Sequence, residues 1–95
     1  MIDLPSFNVA YDKDADVLYI TARKAVAYRG IEDEQGIVYR YDREGELISV
    51  IIIDFYDRWY LHRPELARKI SQGFHIPETQ AKTVIDHAIN NLRGS

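Results

Sequence analysis

The sequence predicts an α+β fold, an antiparallel four-stranded β-meander followed by two C-terminal helices packed on the sheet. Three observations lead there. Apolar residues alternate with period two through the first half, the period changes to about 3.6 after Tyr60, and short turn-forming clusters punctuate the first half.

Period-two alternation is plain in Phe7, Val9, Tyr11 and again in Val17, Tyr19, Thr21, and the segments are rich in the β-branched and aromatic residues that suit a pleated surface. Strands are expected near residues 7–11, 17–23, 36–42 and 47–55. Asp12-Lys13-Asp14-Ala15 and Asp42-Arg43-Glu44-Gly45 are short and turn-forming, so the first and last pairs of strands should be antiparallel hairpins. The segment from Lys24 to Gln35 is charged and irregular, with room for a short strand of its own that no pattern resolves.

In the second half, Ala81, Val84, Ile85, Ala88, Ile89 and Leu92 fall at the spacing of one helical face. Pro77 suits the first turn of that helix, and Gly94 suits the position just past its end. By the same logic a preceding helix should run from Pro64 to about Gln72 and close at Gly73. The chain reads as one domain over residues 1–95, with a β-hairpin region at 1–55 and a helical extension at 56–95.

Composition bounds the function. With 95 residues, 46% apolar and 28% charged, one core is feasible but a large internal cavity would be hard to support. There is no cysteine, which excludes disulfides, thiol catalysis and thiolate metal sites. The start Met1-Ile2-Asp3-Leu4-Pro5 does not read as a secretory signal, and the longest apolar run, Val50 to Ile53, is far too short to span a membrane. A cytoplasmic protein without membrane association is expected. The formal charge of −3 argues mildly against attraction to nucleic-acid backbones over the whole surface.

Two stretches are more specific than the fold pattern. They are Tyr11-Asp12-Lys13-Asp14-Ala15-Asp16-Val17-Leu18-Tyr19-Ile20, and Tyr41-Asp42-Arg43-Glu44-Gly45-Glu46-Leu47-Ile48 running on to Ile52-Ile53-Asp54. Together they resemble the small bacterial family catalogued as domain of unknown function 2283, over roughly the first 55 residues. The resemblance implies a β-rich fold and an antitoxin-like role rather than a chemical activity. The chain departs from the family pattern where Ser49-Val50-Ile51-Ile52 replaces the common Gly-Ile-Glu-Ile, so that Ile51 stands where an outward glutamate would be. Alternation puts Leu47, Ser49, Ile51, Ile53 and Phe55 on one face of the last strand and Ile48, Val50, Ile52 and Asp54 on the other. Both faces are then largely apolar and both need cover, one from the C-terminal helices and the other from the curled sheet or a second subunit.

Motifs for chemistry are weak. Asp12-x-Asp14-x-Asp16 opens like a calcium loop, but Val17 stands where glycine is needed and Arg23 where a bidentate glutamate is needed. A solvated turn, with Asp16 fixing the start of the second strand, explains the aspartates better. His62, His75 and His87 do not stand at metal-ligand spacing. No nucleophile elbow or glycine-rich phosphate loop is present, Ser49 reads as a close-packing residue, and no catalytic residue, metal or cofactor is assigned.

The most unusual local composition is Phe55, Tyr56, Trp59 and Tyr60 interleaved with Arg58, His62 and Arg63, in a chain with seven tyrosines. Tyr, Trp and Arg dominate interaction hot spots. The equally weighted alternative is that Phe55, Trp59 and one tyrosine form a core corner between sheet and helix. The sequence therefore predicts a non-enzymatic protein-interaction or regulatory module, homo-oligomeric, with partner-binding residues Tyr56, Arg58, Trp59, Tyr60 and Arg63. The alternative is a DNA-binding regulator whose helix-turn-helix-like pair presents Thr79, Gln80, Lys82 and Thr83. His75 would there occupy the turn position usually given to glycine, and the reading helix is close to neutral. A third alternative is a small-molecule binder or enzyme whose site no motif reveals.

Overall fold

The computed structural model describes residues 7–93, with side chains as far as Asn90; Gly94, expected to close the last helix, and Leu92, expected on its apolar face, lie outside the described residues and side chains respectively. Five strands form one antiparallel sheet: β1 (Asn8–Asp12), β2 (Val17–Thr21), β3 (Arg29–Glu32), β4 (Ile37–Tyr41) and β5 (Leu47–Ile53). Two helices follow, α1 (Arg63–Phe74) and α2 (Glu78–Arg93). The antiparallel sheet, the β1–β2 and β4–β5 hairpins and the two helices agree with the sequence pattern.

The four-stranded meander does not. A fifth strand, β3, lies in the segment that carried no pattern, and the order across the sheet is β1-β2-β5-β4-β3. Strand β2 pairs with β5, placing Leu18 opposite Ile52 and Ile20 opposite Val50. This is a Greek-key arrangement, three hairpin-linked strands with the last returning beside an earlier one. The connection from β2 to β3 must cross the end of the sheet, and it is tied there. The Ala22 N–H donates to the Ile48 carbonyl at 2.8 Å, Arg23 pairs with Asp42, and Arg43 lies 5.6 Å from the centre of the Tyr28 ring.

Aspartates organise the turns. The side chain of Asp12 accepts from the backbone N–H groups of Asp14 and Ala15, Asp33 from those of Gln35 and Ile37, and Asp42 from those of Glu44 and Glu46. Each holds a tight reversal in which a side-chain oxygen stands in for a backbone acceptor. Gly36 and Gly45 supply the left-handed φ of 82° and 85° that the second and third of these reversals need.

Both helices lie on one face of the sheet, α1 against β5 and α2 against β1. Leu18, Ile20, Ile37, Val50 and Ile52 of the sheet meet Leu66, Ala67, Ile70, Ala81, Val84, Ile85, Ala88 and Ile89 in the core. Helix α1 does not close at Gly73 as its sequence suggests. It continues to Phe74 and ends on His75, which takes the left-handed conformation, φ 58°, and donates its N–H to the Ser71 carbonyl. Gly73 serves instead for close approach, because a Cβ there would stand 3.0 Å from Leu47 Cδ2 and 3.5 Å from Tyr39 Cε1.

The faces of β5 also need correction at both ends. Arg40 faces Ser49 but Tyr41 faces Leu47, so Ile48 is an extra residue in β5. That bulge turns Leu47 to the helix side, against the core. At the other end Asp54 takes a left-handed φ of 57°, which swings Phe55 into the core as well.

Candidate interaction surfaces

The sheet-to-helix corner is built from Asp54 onward. Its left-handed backbone opens a π-helical turn, Phe55–Trp59, followed by a 3-10 turn, Tyr60–His62. The exposed amides at the start of this turn are taken by Asp16 from the first hairpin. Its carboxylate accepts from the N–H of Tyr56 at 2.8 Å, the N–H of Asp57 at 3.1 Å and the Tyr11 hydroxyl at 2.6 Å, while its carbonyl accepts from the Phe55 N–H. Partial burial pushes the Asp16 carboxyl up, but these hydrogen bonds outweigh it and hold its pKa below the ordinary value. The Tyr11 hydroxyl is pushed up to about 12, by burial first and then by the Asp16 carboxylate. Asp16 does more than start β2: it locks the first hairpin to a corner some 40 residues away.

Trp59 is not a surface hot spot. It is 2% exposed and belongs to the core beside Phe55, whose ring meets Tyr11 edge-on at 5.9 Å. Its indole Nε1 is buried with no partner among the described residues. A large apolar ring at the bend from β5 into α1 fills the corner, which removes it from solvent. Around it the other predicted residues do reach the surface. Tyr56, 53% exposed, stacks on Tyr60 at 4.7 Å, and the Arg63 guanidinium lies 4.8 Å from the centre of the Tyr60 ring. Arg58 is turned away from this stack and donates to the Gln35 carbonyl at 2.8 Å.

On α2, Thr79, Lys82 and Thr83 are exposed and Gln80 is half-buried. Thr79 and Lys82 line a groove of about 490 Å³ between the helices, where Arg63, Arg68 and Lys82 are interspersed with Glu78 and Asp86 over an apolar floor at Ile85. Mixed charge of this kind does not form the basic stripe that phosphate backbones attract. The aspartates of the first hairpin do not converge, since Asp12 turns to its own loop and Asp16 to the corner. Among the described residues no group of three or more His, Asp or Glu side chains could hold a metal ion, and no helix is long and apolar enough to cross a membrane.

The face of the sheet opposite the helices was expected to need cover, and no described element covers it. Register sets its rows. Ala10, Tyr19, Ile51 and Val38 lie side by side across β1, β2, β5 and β4, with Val17 and Ile53 in the next row. Tyr19 is 39% exposed and Ile53 37%, and Val17, Val38 and Ile51 are half-buried. Asn8, Thr21, Ser49 and Arg40 border the band on one side, and Asp12 and Glu32 stand at its margins. An apolar centre with a polar rim is the anatomy of a protein-docking face.

Five antiparallel strands in Greek-key order with a helix pair on one side define a two-layer α+β protein. Residues 8–55 match the family described as Protein of unknown function (DUF2283), and the chain belongs to that family. The match takes in all five strands and ends at Phe55, so α1 and α2 lie beyond it. Neither a curated protein nor a solved structure matches the chain.

Proposed function

We propose that this protein is a non-enzymatic protein-interaction module that docks a partner protein on the outer face of its sheet. One observation carries the proposal: Tyr19, Val38, Ile51 and Ile53 form an apolar band on the face that neither helix covers. An antiparallel sheet that faces water usually alternates to polar residues on that side, and the central strand β5 does not. The face measures about 24 by 17 Å from strand spacing and rise, about 400 Å² in plan. That suits a protein surface, and the near absence of basic residues on it disfavours phosphate-bearing partners. The antitoxin-like role suggested by the family resemblance is the specific form of this proposal, with a small toxin protein as occupant.

The test is affinity capture from source cells, with nuclease present, using wild type and the Tyr19→Lys/Ile53→Lys double variant. Wild type should retain a protein in fixed stoichiometry and the variant should lose it while keeping its far-ultraviolet circular dichroism. Equal retention by both would refute the outer face, and loss caused instead by Tyr56→Ala would transfer the role to the exposed tyrosine stack.

A further inference from the structure

The free edge of the sheet carries a second surface that does not depend on what occupies its outer face. Strand β3 has β4 on one side and, among the described residues, no strand on the other, and all four of its residues, Arg29, Gly30, Ile31 and Glu32, are exposed. Ile31 is 44% exposed, a large apolar side chain on an open strand edge. Asp33 spends its N–H on the Ile37 carbonyl, and alternation from there directs the backbone groups of Arg29 and Ile31 to β4. The N–H and C=O of Gly30 and Glu32 therefore point to the free side. An unpaired edge of this kind is a template for another strand.

We propose that the strand it takes is β3 of a second copy of this chain, antiparallel, with Ile31 opposite Ile31 of the second copy. A two-fold axis normal to the sheet is the symmetry that continues an antiparallel sheet, and it requires facing residues to share a face. The permitted registers are then few, and charge chooses among them. Centring on Arg29 or on Glu32 sets like charges opposite each other. Centring on Gly30 sets Arg29 against Ile31. Centring on Ile31 sets Arg29 against Asp33 of the second copy and Gly30 against its Glu32, each twice by symmetry.

The surroundings of β3 fit that last register. The outward groups of Gly30 and Glu32 meet as hydrogen-bonded pairs, and Ile31 falls at the non-hydrogen-bonded position, where facing side chains come closest. Gly30 faces Arg40 across β4, and with no side chain it leaves an open path on the outer face. A Cβ at Gly30 would meet Val38 Cγ1 at 3.9 Å and the Tyr39 carbonyl at 4.0 Å, ordinary contacts, so nothing crowds the backbone there. Glu32 of the second copy reaches over Gly30 to Arg40, and Arg40 of the second copy returns the contact. Because the axis is normal to the sheet, both helix pairs stay on one side and both outer faces on the other. The joined outer face is about 48 by 17 Å, or about 800 Å² in plan, near what one partner contributes to a standard interface.

Sedimentation velocity of the full chain across a micromolar-to-millimolar range tests the pairing. Wild type should form a dimer. Glu32→Arg should weaken it by about tenfold, because two attractive contacts become repulsive, and Glu32→Arg/Arg40→Glu should restore it. Gly30→Pro removes an outward N–H while leaving the β4 side of the ladder intact, and should give a folded monomer by circular dichroism. A wild-type monomer throughout the range would overturn the proposal. So would a dimer unaffected by Glu32→Arg and Gly30→Pro, and one abolished by Tyr19→Lys/Ile53→Lys alone would place self-association on the outer face. Partner capture through the outer face by a monomeric chain would leave that function standing while this pairing fails.

Discussion

The two sides of β5 are made of nearly the same residues and meet opposite fates. Val50 and Ile52 point to the helices and are wholly buried, whereas Ile51 and Ile53 point away, half-buried and 37% exposed. Apolar composition alone therefore does not decide what becomes core. The inner residues gain a second layer because α1 and α2 bring Leu66, Ile70 and Ile85 onto them, and among the described residues the outer ones have only neighbouring strands. Burial that is complete contributes packing as well as transfer from water; burial by strand neighbours alone leaves part of that unrealised.

This contrast gives the largest expected effect. Ile52→Ala should destabilise the fold by about 3 to 4 kcal/mol, the cost of a cavity in a packed core, and Ile53→Ala by about 1 kcal/mol or less. Urea denaturation of the two variants measures the difference, and near-equal losses would mean that the outer face is as tightly covered as the inner one.

A smaller effect should follow from untying the corner that joins the sheet to its helical cover. Asp16→Ala removes the acceptor for two corner amides and the Tyr11 hydroxyl and should cost about 2 kcal/mol in the same measurement. Asp16→Asn, which keeps one acceptor oxygen and tolerates the left-handed φ of 56°, should cost about half as much. A loss below about 0.5 kcal/mol for Asp16→Ala would show that the corner holds through apolar packing of Phe55 and Trp59 alone.

The smallest expected effect is on pH dependence. Asp16, Asp33 and Asp42 lie below the ordinary carboxylate value. For Asp33, burial acts upward, and hydrogen bonds from the amides of Ile37 and Gln35 and from Lys69 overcome it. For Asp42 the Glu46 amide is the main cause, with Arg23 assisting. Depressed carboxylates stabilise the fold above about pH 4 and lose that contribution as pH falls through their folded-state values. Tyr11 and Tyr39 move the other way, from 10.0 to about 12, Tyr39 by burial and then by the Asp33 carboxylate. Their contribution is complete below about pH 10 and is lost as pH rises toward about 12. Melting temperature should therefore fall on both flanks, and Tyr11→Phe should shallow the alkaline fall and, because its hydroxyl helps hold the Asp16 carboxyl down, a smaller part of the acid one. An unchanged alkaline limb in that variant would remove Tyr11 from the balance.

Features encoded within a few residues were legible in the sequence. The two hairpins, their aspartate turns with Gly45 at the reversal, and the amphipathic face of α2 all follow from local patterns. The apolar run Val50 to Ile53 also announced that both faces of one strand would need cover. Strand β3 could be allowed for but not placed, because four residues with a glycine and two charges show no alternation, and pairing with β4 is what makes them a strand. The end of α1 at His75 was hidden for a related reason: Gly73, the residue that resembled a cap, is small to admit Leu47 and Tyr39.

Turn chemistry, helix periodicity and the presence of excess apolar surface were thus determined by the sequence itself, since each depends on contacts between near neighbours along the chain. Strand order, the burial of Trp59, the reach of Asp16 across 40 residues and the choice of which face of β5 meets the helices were decided only by tertiary structure. Those features depend on groups far apart in sequence, and a period of two marks the sides of a strand without telling which side another layer will cover.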